Sequence, residues 1–86
     1  MEESSSFEPS FRALARILKV LLHNDSTAKS ALAQEARVNY GRLLDHLDWL
    51  EERRIVELIV EKRKVIVRLT KRGREFALIL LGEDKQ

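Results

Sequence analysis

Residues 28–54, AKSALAQEARVNYGRLLDHLDWLEERR, decide the fold, because they hold two short helical patterns separated by only three residues. The first pattern covers Ala28 to Ala36. The second begins after Asn39 and runs to about Arg54, and its leucines share one side of a helix: Leu43, Leu44, Leu47 and Leu50. Asn39 is suited to cap the second helix, since its side chain can accept a hydrogen bond from a free backbone N–H. Two helices joined by so short a turn are typical of a helix-turn-helix.

A further helix is predicted upstream of this segment. Pro9 is suited to open it, because proline lacks the N–H that the first helical turn leaves unused. The apolar residues recur at helical spacing but cover more than one stripe of the surface: Phe11, Leu14, Ile17, Leu18, Val20, Leu21 and Leu22. A polar break over residues 24–27 follows, in which Ser26 or Thr27 is predicted to cap the second helix.

Downstream, residues 55–60 and 65–69 are β-branched and roughly alternating, which predicts a hairpin with residues 61–64 at its tip. Thr70 can cap a last helix, which Gly82 would end. The predicted order is helix, helix, helix, strand, strand, helix. Residues 1–8 and 82–86 are predicted to be disordered tails on either side of a single domain over residues 9–81.

Composition excludes several classes of protein. The 86 residues contain no cysteine, which excludes disulfides and thiolate metal sites, and His23 and His46 are too few to suggest a metal ion. No glycine-rich phosphate loop or serine nucleophile motif is present, so we expect neither an enzyme nor a cofactor. No segment approaches the roughly 20 apolar residues of a membrane span, and the acidic start is unlike a signal peptide. We therefore expect a cytoplasmic protein.

The net charge of +2 hides a strongly basic segment. Seven basic residues fall within the thirteen positions 62–74 with no acid among them: Lys62, Arg63, Lys64, Arg68, Lys71, Arg72 and Arg74. A local positive field of this kind favours a polyanionic partner such as nucleic acid.

The predicted order, together with residues 31–56 (ALAQEARVNYGRLLDHLDWLEERRIV) and 68–76 (RLTKRGREF), resembles winged helix-turn-helix transcription regulators, particularly small archaeal members. The resemblance covers about residues 12–80. It implies an α+β, mainly helical fold with a three-helix core, a β-hairpin wing and a C-terminal helix. It also implies binding to double-stranded DNA. The family often has glycine in the helix-turn-helix turn and at the end of the third helix, where this chain has Arg37 and Arg54.

In that family the third helix enters the major groove by its N-terminal residues. The resemblance therefore makes four residues candidates for reading base edges: Asn39, Tyr40, Arg42 and His46. Arginine can pair with guanine and asparagine with adenine through two hydrogen bonds, although Asn39 is equally well interpreted as a helix cap. Phosphates would repel the acids in the second half of this helix, so we expect contact only along its first two turns.

Seven more residues are candidates for phosphate contact: Lys62, Arg63, Lys64, Lys71, Arg72, Lys29 and Ser30. The first three form a hairpin tip that could reach phosphates or the minor groove, or could simply be a soluble turn. The next two begin a helix, where the helix dipole would favour acids, so they suggest an external anion or a plain surface. The last two lie near the start of the second helix, where backbone phosphate often binds.

The first and last helices carry more apolar surface than one small core needs. We therefore predict a homodimer joined through these terminal helices, with four residues near the seam: Ile17, Val20, Ile79 and Leu81. Two other functions remain open. The modest net charge is compatible with a protein interaction module, and a chromatin protein that compacts DNA would need the basic wing without base readers. No small-molecule ligand is predicted.

Overall fold

Residues 7–82 are described by a computed structural model, and their elements follow in the predicted order with one addition. The helices are α1 (Phe11–Asn24), α2 (Lys29–Ala36), α3 (Tyr40–Glu52) and α4 (Lys71–Leu81). The strands are β1 (Ser26–Ala28), β2 (Val56–Glu61) and β3 (Lys64–Leu69), which form one antiparallel sheet in the order β1-β3-β2. This confirms the predicted fold class, with the β2–β3 hairpin as the wing.

Three helices begin with side-chain caps. The Ser10 hydroxyl accepts from the Ala13 amide at 3.2 Å, so α1 starts one residue after Ser10 and Pro9 lies outside it. The Asn39 side chain accepts from the first turn of α3, and the Thr70 hydroxyl accepts from the Gly73 amide at 2.9 Å. Such caps satisfy N–H groups that have no partner within the helix. The predicted caps at Asn39 and Thr70 are confirmed.

Strand β1 corrects the prediction for Ser26 and Thr27. Neither residue caps α2, whose N-cap is Ala28 without a side-chain hydrogen bond. Both residues instead pair with β3, where Ser26 lies opposite Arg68 and Thr27 opposite Val67. The pairing covers the edge of β3 that faces away from β2, where backbone groups would otherwise lack partners. The helix-turn-helix is thereby fixed to the wing.

The core lies between α1, the helix-turn-helix and the sheet. Its largest fully buried apolar side chains come from all three: Ile17, Leu18, Leu21, Leu32, Leu43, Leu47, Leu50, Val56 and Val67. The prediction that Ile17 lies at a dimer seam is wrong, because this side chain is 0% exposed within its own core. Val20 is half-buried and packs against that core. Of the predicted seam residues, Ile79 is 78% exposed and Leu81 is partly exposed.

The predicted tails are only partly within the described residues, since 1–6 and 83–86 lie outside them. Phe7 falls within the first predicted tail, residues 1–8. Its ring packs edge-on against the His46 ring, with centroids 5.0 Å apart and the planes at 89°. Contact with the folded domain therefore reaches back at least to Phe7.

Candidate nucleic-acid interface

The N-terminal end of α3 is exposed, as the DNA-reading hypothesis requires. Asn39, Tyr40 and Arg42 all lie at the surface. The turn before this helix is set by Arg37, which adopts a left-handed conformation with φ 58° and ψ 48°. Its amide donates to the Gln34 carbonyl at 3.2 Å, and the Val38 amide donates to the Ala33 carbonyl at 3.0 Å. These bonds close α2 and direct the chain into α3.

His46 does not read bases in this structure, so that prediction is wrong. Its side chain is 0% exposed. Its Nε2 accepts a hydrogen bond from the Ser10 amide at 3.0 Å, and Nδ1 lies 2.7 Å from the Arg42 carbonyl. Because Nε2 is an acceptor, Nδ1 carries the proton and donates to that carbonyl. His46 therefore joins the first turn of α3 to the start of α1.

The outer face of α3 is acidic beyond its first turn. At about 100° per residue, Asp45 and Asp48 lie close to the direction of Gly41, opposite the buried leucines, and all three are exposed. Carboxylates repel phosphate, whereas Gly41 has no side chain to hold a duplex away. The N-terminal end of α3 is therefore the part of this helix that presents no acidic side chain to an approaching polyanion.

Asn39 has its side-chain oxygen occupied by the cap. Oδ1 accepts from the Gly41 amide at 2.8 Å and from the Arg42 amide at 3.3 Å. The Nδ2 group is not used in this cap and can donate to an external acceptor. Of the two roles predicted for Asn39, base reading and capping, the structure shows the capping role.

A cleft of about 400 Å³ brings together four predicted phosphate contacts from separate parts of the fold. We call it the wing cleft, and seven residues line it: Ala28, Lys29, Ser30, Tyr40, Arg63, Lys64 and Val65. The start of α2, the start of α3 and the tip of the wing thus face one space. Neither α2 nor α3 has an acidic residue in its first turn, so the positive end of each helix dipole is left uncompensated.

Three other predicted contacts lie outside the wing cleft. Lys62 is exposed at the hairpin turn with φ 53°. Lys71 and Arg72 follow Thr70, whose hydroxyl donates to the Arg54 carbonyl just beyond the C-terminal end of α3. A helix of 13 residues is about 20 Å long. The structure therefore places Lys71 and Arg72 at the opposite end of α3 from Tyr40.

The structure contains a second basic site that the sequence did not predict. A groove of about 200 Å³, which we call the arginine groove, lies between α1 and the turn before α3. Its lining contains four arginines and no acid: Ser10, Arg12, Ala13, Arg16, Arg37, Val38, Asn39 and Arg42. Arg12 and Arg16 are one helical turn apart on α1, a spacing visible in the sequence. What brings them to Arg37 and Arg42 is tertiary packing.

The described residues hold no group of three or more histidine, aspartate or glutamate side chains placed to bind a metal ion. None of the helices over residues 7–82 has the length and apolar character needed to cross a bilayer.

Solved structures share this fold, although no family model and no curated protein matches the sequence. A MarR family transcriptional regulator from Silicibacter pomeroyi is 29% identical with a TM-score of 0.78, and the match covers 83% of this chain and 49% of that one. A second MarR family regulator from the same organism is 26% identical with a TM-score of 0.71, over 86% and 53% of the two chains. A protein from Archaeoglobus fulgidus is 21% identical with a TM-score of 0.71, over 84% and 82%.

The chain spans about half the length of the two MarR family regulators that it matches. Within that half, its four helices and three-stranded sheet correspond to the regulators' winged-helix architecture. The chain therefore has the winged-helix fold of MarR family transcription regulators.

Proposed function

We propose that this protein binds double-stranded DNA as a transcription regulator and acts in the cytoplasm on the chromosome. The observation that carries the proposal is the wing cleft, where Lys29, Arg63 and Lys64 approach the exposed N-terminus of α3 from two sides. Basic side chains and helix N-termini are the groups that bind backbone phosphates. The likeness to MarR family regulators supports the same function.

Tyr40 and Arg42 are the residues that we assign to the major groove. Both are exposed in the first turn of α3, and Gly41 between them allows the helix backbone to approach closely. Arg42 can donate two hydrogen bonds to guanine, while the Tyr40 hydroxyl can donate to a phosphate or a base edge. Asn39 contributes its free Nδ2 group while its Oδ1 holds the cap.

The wing supplies sequence-independent affinity. Lys62, Arg63 and Lys64 lie at its exposed tip, where they can reach phosphates or the minor groove. Each phosphate that the protein neutralises releases counterions, so the logarithm of the affinity falls with the logarithm of salt concentration by about 0.9 per phosphate.

The slope of log affinity against log salt concentration tests whether the wing contacts DNA. A labelled duplex of random sequence is titrated at several salt concentrations and followed by fluorescence anisotropy. The variant K62A/R63A/K64A should show a shallower slope than the wild type, by about 0.9 for each phosphate lost. The control K19A/R53A/R74A removes the same net charge away from the wing and should keep the wild-type slope.

Each outcome supports or rejects one of the candidate functions. Equal slopes for both triple variants would show that the wing does not contact DNA. If the wild type fails to bind even at low salt, DNA binding is rejected and a protein interaction module becomes the better hypothesis. Preference for the DNA upstream of the protein's own gene over the random duplex would support a regulator. Binding without such preference would favour a protein that compacts DNA.

We further propose that the DNA-binding form is a homodimer joined through α1 and α4. The two helices pack against each other, and both carry large apolar side chains at the surface, with Phe11 64% and Ile79 78% exposed. A twofold dimer would present two copies of α3 to successive major grooves, about 34 Å apart. Val20 and Leu81 are partly buried within one copy and remain predicted members of this interface.

Sedimentation tests the dimer with a matched control. At tens of micromolar the wild type should sediment as a dimer and I79K as a monomer, because a lysine at the seam would bury an unpaired charge. V60K makes the same substitution at an apolar residue that is 74% exposed on the wing, and this control should remain a dimer. A monomeric wild type would reject the proposal.

A further inference from the structure

The arginine groove concentrates positive charge without an acidic partner in its lining or an ion pair among residues 7–82. Arg12, Arg16, Arg37 and Arg42 line it together, and no acidic residue is among its lining. Elsewhere in residues 7–82 the arginines in ion pairs are Arg53 with Glu52, Arg68 with Glu57 and Arg74 with Asp25. Guanidinium groups that converge without a counter-charge repel one another, so an anion bound among them would be favoured.

The guanidinium groups are also available for binding. Of the four arginines in the groove, only Arg16 uses its side chain in a hydrogen bond within the described residues, from Nη1 to the Arg37 carbonyl at 3.3 Å. This bond links α1 to the turn before α3, and the other guanidinium donors of the groove have no hydrogen-bond partner within residues 7–82. Guanidinium groups bind phosphate in a planar, two-bond geometry that lysine cannot match. The chemistry of the groove therefore suits a phosphate group.

The arginine groove and the wing cleft lie on different sides of α3. Tyr40 lines the wing cleft, and Arg42 lines the arginine groove. Side chains two residues apart on a helix point about 200° apart. The two sites share no lining residue. A helix end in a major groove about 12 Å wide has one phosphate backbone on each side of it.

We propose that the arginine groove binds a backbone phosphate of the DNA, on the side of the major groove opposite to the phosphates bound by the wing cleft. The inference rests on the proposed DNA binding and adds a second contact to it. The two sites would hold the end of α3 between the two strands. In this arrangement the phosphate is bound by Arg12, Arg16 and Arg37. Arg42 lies between that phosphate and the bases.

The variant R12Q/R37Q tests this contact, because neither side chain makes a hydrogen bond or ion pair within residues 7–82. For binding of this variant to a random duplex, the slope of log affinity against log salt concentration should be shallower than that of the wild type by about 0.9 if one phosphate is lost. The control R53Q/R74Q removes the same charge outside both sites and should leave the slope unchanged. Thermal unfolding confirms that each variant is folded.

A second measurement uses the wild-type protein. The Nε–Hε NMR signals of Arg12 and Arg37, assigned by comparison with R12Q and R37Q, should shift when the duplex is added. Inorganic phosphate at the same total phosphate concentration should shift them much less. If inorganic phosphate saturates these signals equally well and the slope of R12Q/R37Q is that of the wild type, the groove binds a free anion and the proposal is overturned.

The two proposals fail in different ways. If the wild type binds the duplex while R12Q/R37Q keeps the full slope and the two signals stay unmoved, DNA binding stands and the arginine groove has no part in it. If the wild type does not bind the duplex, both proposals are rejected together.

Discussion

The Nε2 atom of His46 accepts the amide hydrogen of Ser10 at 3.0 Å, which joins the buried side of α3 to the capping residue of α1. The same ring donates through Nδ1 to the Arg42 carbonyl. One imidazole thus connects the two elements that bear Arg12 and Arg42, which lie on either side of the arginine groove. This histidine therefore contributes, with the shared core, to the arrangement of the two helices that form the groove.

Substitution of His46 should therefore affect stability. H46A removes a buried ring and leaves the Ser10 amide without its acceptor, so we expect a loss of about 2–3 kcal/mol in the free energy of unfolding. D45A, at the exposed neighbouring position, should change it by less than about 0.5 kcal/mol. Denaturant unfolding measures both. A stable H46A protein that loses only its DNA sequence preference would restore His46 as a base reader.

Gly73 should tolerate no side chain, since a Cβ there would lie 1.8 Å from the Ile55 carbonyl oxygen. That oxygen already accepts a hydrogen bond from the Thr70 amide at 3.1 Å, and the Ile55 backbone cannot move away without disturbing this bond. G73A should lose about 3 kcal/mol of stability or fail to fold. The control G82A meets no atom within 4 Å but has φ +67°, and should cost about 1 kcal/mol. Equal costs would show that α4 can move away from Ile55.

The features that could be predicted from sequence are those with local signals. The caps at Asn39 and Thr70, the leucine side of α3 and the wing all depend on residues close together in the chain. The burial of His46 was also within reach of the sequence. At 100° per residue it lies only about 60° from Leu43, on the leucine side of the helix.

The features that were missed depend on distant contacts. Strand β1 is three residues long, and it exists because β3, some forty residues later, offers it an edge. No periodicity can be detected in three residues. The arginine groove was missed for a related reason. Arg12 and Arg16 lie in residues 1–26, where four acidic residues outnumber three basic ones, and Arg37 and Arg42 follow more than twenty positions later.

Pairing of β1 leaves Thr27 with a buried hydroxyl that finds no hydrogen-bond partner among the described residues. T27V keeps the β-branched shape and removes the unsatisfied group, so the protein should become more stable by about 1 kcal/mol. S26A, at the exposed neighbour on the same strand, should have almost no effect. Thermal or denaturant unfolding compares the two. A loss of stability in T27V would mean that the hydroxyl is hydrogen-bonded in solution.

Arg54 should be replaceable by glycine with a gain in stability. It closes α3 with φ 61°, a conformation that costs a non-glycine residue about 1–2 kcal/mol. Its contact with the Thr70 hydroxyl is made by the backbone carbonyl, at 2.6 Å, and survives the substitution. The greater freedom of glycine in the unfolded chain offsets part of the gain, so R54G should add about 0.5–1 kcal/mol to the free energy of unfolding.

The matched control is R53G, one residue earlier, where φ is −95° and no strain is relieved. Glycine there should cost about 0.5–1 kcal/mol through its freedom in the unfolded chain. It also removes the Arg53 guanidinium from its position 4.0 Å above the Trp49 ring. Opposite signs for the two adjacent substitutions, measured by denaturant unfolding, would show that backbone strain at Arg54 is the cause. A loss in both would mean that the Arg54 side chain contributes more than its strained backbone costs.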